Sequence, residues 1–199
     1  MVKHEILFLV FSYLLGAIPF GYILYYLTEK KDIREEGSGN IGATNVLRAK
    51  GKIFGIITLV LDMLKGILPI LYGLMHFDSP VLIIGGGAAA ILGHLYSVYL
   101  KFKGGKGVST FLGMAAVFHF PSALVFGAVF LFTYFLTRYV SASSIAGVTA
   151  IFFVTLFTNV VEVSMIVFVV VLLIIIKHHG NIKRIIAGTE PQLSWKKNG

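Results

Sequence analysis

Seven apolar runs decide what this chain can fold into. They lie at about 4–27, 53–75, 81–100, 109–120, 121–137, 144–160 and 162–177 and are separated by charged or turn-forming residues. A helix rises about 1.5 Å per residue, so about 20 apolar residues cross a hydrocarbon core about 30 Å thick. The runs lack the period-two alternation of a transmembrane barrel, so helices are the expected spanning structure. With 199 residues, 57% of them hydrophobic and 13% charged, and a mean hydropathy of +0.88, nothing is left over for a second, soluble domain. We therefore expect residues 1–199 to form a single transmembrane domain: an all-α integral membrane protein of about seven transmembrane helices. The first run is too long for a signal h-region and lacks a small-residue cleavage site, which predicts a retained first helix. The fourth and fifth runs meet at His119-Phe120-Pro121-Ser122, a sequence that fits a tight turn or a re-entrant pair.

Charge sets the expected orientation. Segments 28–52, 101–106, 138–143 and 177–199 carry six, three, one and five basic residues, fifteen of the 17 in the chain; Lys3 and Lys65 are the others. The positive-inside rule places those segments in the cytoplasm, with the N-terminus outside and the C-terminus cytoplasmic. A formal charge of +8 would suggest nucleic acid in a soluble protein, but here the cations cluster in short loops, so no nucleic-acid partner is expected. Lys30, Lys31, Lys196 and Lys197 read as ordinary contacts to anionic lipid. Cysteine is absent, which excludes disulfides, a thiolate nucleophile and a thiolate metal site. No metal or cofactor is expected.

Four polar segments, about 28–52, 101–110, 138–144 and 177–190, share that face. The first holds Gly37, Ser38, Gly39, Asn40, Gly42, Thr44, Asn45 and Arg48. Its glycines let backbone N–H groups approach a ligand, its side chains add short hydrogen bonds, and Arg48 offers a bidentate charge to a phosphate. A helix starting near Ala43 would turn its N-terminus to the same point. A flexible connector is the plain alternative, which four polar residues plus arginine in a glycine frame outweigh. The second holds Lys103, Gly104, Gly105, Lys106 and Gly107 before Ser109 and Thr110. It is a second anion cradle without the spacing of a nucleotide-binding P-loop. The third offers Arg138, Ser141 and Ser143, with Ser143 or Ser144 as simple helix caps. The fourth brings His178, Asn181, Lys183 and Arg184, where function and topology weigh equally.

Charges at membrane depth need partners. Asp62 and Lys65 are three residues apart, on one helical face, and read as a structural pair rather than a catalytic one. His94 lies about two turns before Lys101, within reach of the polar face, although a satisfied structural role is the commoner one. The stretch Gly85 to Ala90 reads as small-residue helix packing.

These segments together resemble the bacterial acyl-phosphate:glycerol-3-phosphate acyltransferases of the PlsY type. The resemblance runs end to end. It is carried by Gly37 to Arg48, by Gly104 to Thr110 with His94 before it, and by His178 to Glu190, with Asp62, Lys65-Gly66 and Arg138 to Ser144 also corresponding. His179 departs from the pattern, where an arginine is expected. The resemblance implies transfer of a fatty acyl group from acyl phosphate to the 1-hydroxyl of glycerol 3-phosphate, giving lysophosphatidic acid in the bacterial inner membrane, with membrane lipids as surroundings. Two phosphates match two cradles. No histidine is followed by an aspartate five positions on, so the H-x-x-x-x-D dyad of other glycerol-phosphate acyltransferases is absent. The mixed anhydride is already activated and requires no acyl-enzyme.

The expectation is therefore direct attack, with the acceptor's own phosphate as base and His178 as the other candidate. Arg48, Lys106 and Asn181 are expected on the acceptor phosphate. Gly37 to Gly42 with Ser38, Asn40, Thr44 and Asn45 are expected on the acyl phosphate and its developing charge, and Lys103, Ser141, Ser143 and His178 complete the pocket. Ser38, Asn45 and His178 are the expected catalytic positions, and the two phosphate assignments are interchangeable on chemistry. A transporter of a phosphorylated metabolite and a non-catalytic lipid-binding subunit are the rival classes. Polar motifs on one face rather than at the midplane count against the first, and the density of Ser, Thr and Asn in the first segment counts against the second.

Overall fold

A computed structural model of the chain describes residues 2–192, so Lys196 and Lys197 lie outside it. All seven apolar runs are helical. The first comprises α1 (Val2–Ala17) and α2 (Phe20–Glu29); α3 (Ala43–Lys50) is a short polar helix; α4 (Lys52–His76) and α5 (Pro80–Leu95) follow. Then come α6 (Val108–Phe118), α7 (Phe120–Thr137), α8 (Val140–Thr158), α9 (Val161–Lys177) and α10 (His179–Ile186). Among the described residues, Val2–Glu29, Lys52–His76, Pro80–Leu100, Phe120–Thr137 and Val140–Thr158 are long and apolar enough to cross a membrane. α9 and α10 form a sixth candidate, bent by 52°. The seventh apolar helix, α6, has 11 residues, about 16 Å of rise, and is too short to span alone.

The first run is one span with an interruption that its hydropathy does not show. Pro19 has no N–H, and its ring pushes the residue before it out of the helical region. The helix breaks at Ile18-Pro19. In a membrane the freed carbonyls need donors. Ser97 Oγ donates to Ala17 O at 2.5 Å and Lys65 Nζ to Ile18 O at 2.8 Å. The break therefore fastens the first span to α4 and to the segment after α5.

α5 is the centre of the bundle, in contact with α1, α4, α6 and α9. Small residues bring the helices together, as the Gly85 to Ala90 stretch suggested. A side chain at Gly16 would sit 1.9 Å from Ala90 O, and one at Gly93 would sit 2.1 Å from Tyr13 O. Gly66 and Gly113 do the same between α4 and α6, against Thr110 O and Met63 O. Where water gives no hydrophobic drive between helices, such close van der Waals approach is what holds them. Ile91, Leu95, Phe111, Met114, Ile151 and Ile174 fill the interior, while Phe11, Phe132, Phe157 and Met165 face outward. His119 alone separates α6 from α7, a tight turn closed by its Nδ1 against Ser122 Oγ at 2.6 Å.

Candidate active site

The four polar segments meet at one cavity of about 510 Å³. Its polar part is lined by Ser38, Asn40, Gly42, Thr44, Asn45 and Arg48 from the first segment, and by Lys106, Gly107 and Ser109 from the second. The third and fourth supply Ser141, Ser144, His178, Asn181 and Glu190. The cavity runs on into an apolar groove walled by Ile56 and Leu59 of α4, Leu112 of α6, and Phe126, Phe130 and Tyr134 of α7. Gly37, Gly39, Lys103, Gly104, Gly105 and Ser143 do not line it.

The first loop is organised by its own amide side chains. Gly37 and Gly39 take positive φ, +55° and +70°, to form the turn. Ser38 N–H donates to Asn45 Oδ1 (2.9 Å), Gly42 N–H to Asn40 Oδ1 (2.7 Å) and Gly39 N–H to Glu36 O (2.9 Å). Those three N–H groups are spent within the loop and do not point at a ligand, contrary to the simple nest expected from the glycines. Asn45, buried at 2% exposure, donates its amide to Ile33 O, Glu36 O and Asn40 O. Both ends of Asn45 are thus engaged in holding the loop. What the loop offers the cavity is the Ser38 and Thr44 hydroxyls, Arg48, and the start of α3 at Ala43, where the sequence placed it.

The second loop also divides. Gly104 and Gly105 pack on the end of α5: a Cβ on the first would meet His94 O at 2.1 Å, and on the second His94 Nε2 at 2.2 Å. They allow close approach to α5, and Lys103 is exposed. Lys106 and the N-terminus of α6, entered through Gly107 at φ +82°, face the cavity. In α8, Ser143 and Ser144 are not N-caps. Their hydroxyls return to Tyr139 O and Val140 O one turn back, because the helix already starts at Val140.

Glu190 carried no expected role, yet it ties the site together. The chain turns back after α10 and brings this carboxylate under three donors. Ser141 Oγ and Asn181 Nδ2 each donate to Oε1 at 2.6 Å, and Arg184 Nε donates to Oε2 at 2.8 Å. Burial opposes ionisation, but the hydrogen bonds from Ser141, Asn181 and Arg184 outweigh it and hold the carboxyl below its usual range. Arg48 Nη2 donates to Pro191 O at 3.0 Å on the same returning strand. The only signal in the sequence was an acid closing a basic segment, and that does not reveal a chain reversal.

The electrostatics favour anions. Around the polar mouth, Arg48, Lys106 and Arg184 oppose Glu190, while Asp62, which also lines the cavity, is paired with Lys65. Burial lowers the Arg48 pKa, with Arg184 adding to it and Glu190 opposing. Burial, with Arg184 and Arg48 nearby, pushes Lys106 down to about 8 despite Glu190. A bound phosphate would reverse these costs by supplying counter-charge. His178 Nδ1 lies 2.8 Å from Ile174 O. A carbonyl only accepts, so Nδ1 carries the proton and the neutral ring keeps an acceptor at Nε2. Among the described residues Arg48 Nε is buried without a hydrogen-bond partner, which leaves donor capacity for a ligand.

The sequence profile of the glycerol-3-phosphate acyltransferase family matches residues 6–188. A glycerol-3-phosphate acyltransferase of Macrococcus caseolyticus is 45% identical over 191 residues, covering 96% of this chain and 98% of the relative. One from Brucella anthropi is 42% identical over 188 residues, covering 94% and 92%. Two crystal structures of PlsY (YgiH), an integral membrane glycerol 3-phosphate acyltransferase, superpose on it. The glycerol 3-phosphate form gives a TM-score of 0.91 at 39% identity and 96% coverage of each chain. The lysophosphatidic acid form gives 0.88 at 38%, with the same coverage.

Proposed function

Because this chain belongs to the glycerol-3-phosphate acyltransferase family and has the PlsY fold, we propose that it moves a fatty acyl group from acyl phosphate to the 1-hydroxyl of glycerol 3-phosphate. The observation that carries this reading is a single cavity with a cationic, hydroxyl-lined mouth and an apolar groove leading from it. A water-soluble phosphate ester and a lipid mixed anhydride need those two environments side by side. The solved relatives are described with glycerol 3-phosphate and with lysophosphatidic acid, an acceptor and a product that fit the proposed reaction.

In this mechanism the 1-hydroxyl attacks the acyl carbonyl carbon, the bond from that carbon to the bridging phosphate oxygen breaks, and inorganic phosphate leaves. The hydroxyl proton passes to the acceptor's own phosphate, with His178 Nε2 as the other available acceptor. Arg48, Lys106 and Asn181 hold the acceptor phosphate. Ser38, Thr44 and the start of α3 face the acyl phosphate and the oxyanion that develops from it. Asn45 keeps the loop in shape. The acyl tail lies in the groove between α4, α6 and α7. Residues 1–199 act as one transmembrane domain in the bacterial inner membrane, with the N-terminus outside and the site cytoplasmic, as the loop charges direct. Asp62 and Lys65, the charges at depth, are buried and paired with each other, which favours a fixed site over a transport path.

Purified protein in detergent, given palmitoyl phosphate and glycerol 3-phosphate, should release inorganic phosphate only when both are present, with lysophosphatidic acid as co-product. Vectorial uptake into vesicles without product would overturn the enzyme reading. Equal activity with acyl-CoA would overturn the choice of donor.

A further inference from the structure

Beside the polar mouth, Lys65 joins Asp62 and His94, which themselves line the cavity, in a buried cluster that the transfer chemistry does not use. Their exposures are 1%, 2% and 4%. An ammonium has three N–H donors and no acceptor; Lys65 Nζ lies 2.8 Å from Ile18 O and 2.9 Å from His94 Nδ1, and it forms an ion pair with Asp62 Oδ1 at 2.8 Å. The Phe20 ring lies 5.5 Å away. Asp62 Oδ1 is also 3.6 Å from His94 Nδ1. Neutralising Asp62 would need one partner; this lysine joins the proline break, α4 and α5.

Asp62 and His94 both line the cavity, and His94 is the member that touches the second loop. Because Lys65 donates to Nδ1, the ring proton is on Nε2, and that edge of the ring faces Gly105. The His94 carbonyl accepts the Gly105 N–H at 2.9 Å. Gly104 and Gly105 therefore rest on His94 through both its backbone and its ring, and the next residue is Lys106, whose side chain enters the cavity.

We propose that Lys65 is a positioning residue for acyl transfer: it locks the orientation of His94, and His94 sets the Gly104–Lys106 loop so that the Lys106 ammonium meets the acceptor phosphate. The inference rests on the proposed acyltransferase reading. Replacing an isolated buried pair by neutral residues is often tolerated, whereas leaving one charge alone is not. The double variant Asp62→Asn/Lys65→Met therefore separates charge compensation from positioning. His94→Asn is the second variant; its short amide can accept from Lys65 but gives the loop no ring to rest on.

Each protein is purified in detergent and compared by melting temperature, kcat and KM for glycerol 3-phosphate. The expected result is a folded double variant and a folded His94→Asn, each with KM raised about tenfold or more, kcat changed much less, and a weaker thermal shift on adding glycerol 3-phosphate. Wild-type kinetics in the folded double variant would make the cluster charge compensation alone and overturn the proposal. Failure of both variants to fold would overturn it equally, by making the cluster a folding element. Absence of transfer by the wild-type protein would overturn the acyltransferase reading itself, a distinct outcome.

Discussion

Lys106 makes the proposed site testable by pH alone. Its ammonium is half-buried beside Arg48 and Arg184, and burial with those neighbours lowers its pKa to about 8. Lysine is charged below its pKa, so the cation that meets a phosphate is present at pH 7 and lost as the pH rises through 8. At pH 9 about a tenth remains charged, and kcat/KM for glycerol 3-phosphate, which reports the free enzyme, should have fallen about tenfold, or about 1.4 kcal/mol. Lys106→Arg should start lower, because a planar fork replaces a point charge, but its profile should stay flat to pH 9.5 since guanidinium does not titrate there. The assay is initial phosphate release from palmitoyl phosphate at varied glycerol 3-phosphate between pH 6.5 and 9.5, corrected for protein-free hydrolysis. A flat wild-type profile, or an alkaline fall with the same midpoint in Lys106→Arg, would refute the assignment of Lys106 to the acceptor phosphate.

Arg48→Ala removes a guanidinium that stabilises charge in the cavity and should lower kcat/KM by about 10²- to 10³-fold with an unchanged melting temperature; near wild-type rates in a folded variant would exclude it from the site. Gly93→Ala puts a methyl 2.1 Å from the Tyr13 carbonyl, a backbone atom that cannot yield without parting α1 from α5. That overpacking should cost about 1–3 kcal/mol and appear as a lower melting temperature in detergent, while the folded fraction keeps its KM. Leu59→Trp narrows the apolar groove from α4. It should depress kcat/KM for palmitoyl phosphate at least about fivefold more than for decanoyl phosphate, and equal losses for both donors would remove the acyl tail from this groove.

Much of this was readable in the residues because it depends on local chemistry. The seven apolar runs are all helical, the first as the pair α1 and α2, with the polar segments between them. Arg48, Lys106, Ser141, His178 and Asn181 line one cavity, and Ala43 begins a helix. The pairing of Asp62 with Lys65 follows from helical spacing. Glycine was harder to read. Its presence showed that backbone passes close to something, and for Gly104 and Gly105 the neighbour seen is His94. In the first loop, Asn40 and Asn45 line the cavity and also hold their own turn, since an amide side chain can satisfy nearby backbone as readily as a substrate.

The sequence by itself determined the lipid environment, the helices and the kinds of group at the polar face, because burial in hydrocarbon and helix periodicity act over a few residues. Only the tertiary structure decided that Lys65 would hold Ile18 across 47 positions, and that Glu190 would reach back 49 positions to Ser141. The physical reason is that a broken helix leaves carbonyls, and a buried carboxylate leaves oxygens, that must find donors. Which donors they find is set by the packing of helices against one another through Gly16, Gly66 and Gly93, not by the neighbours each residue has along the chain.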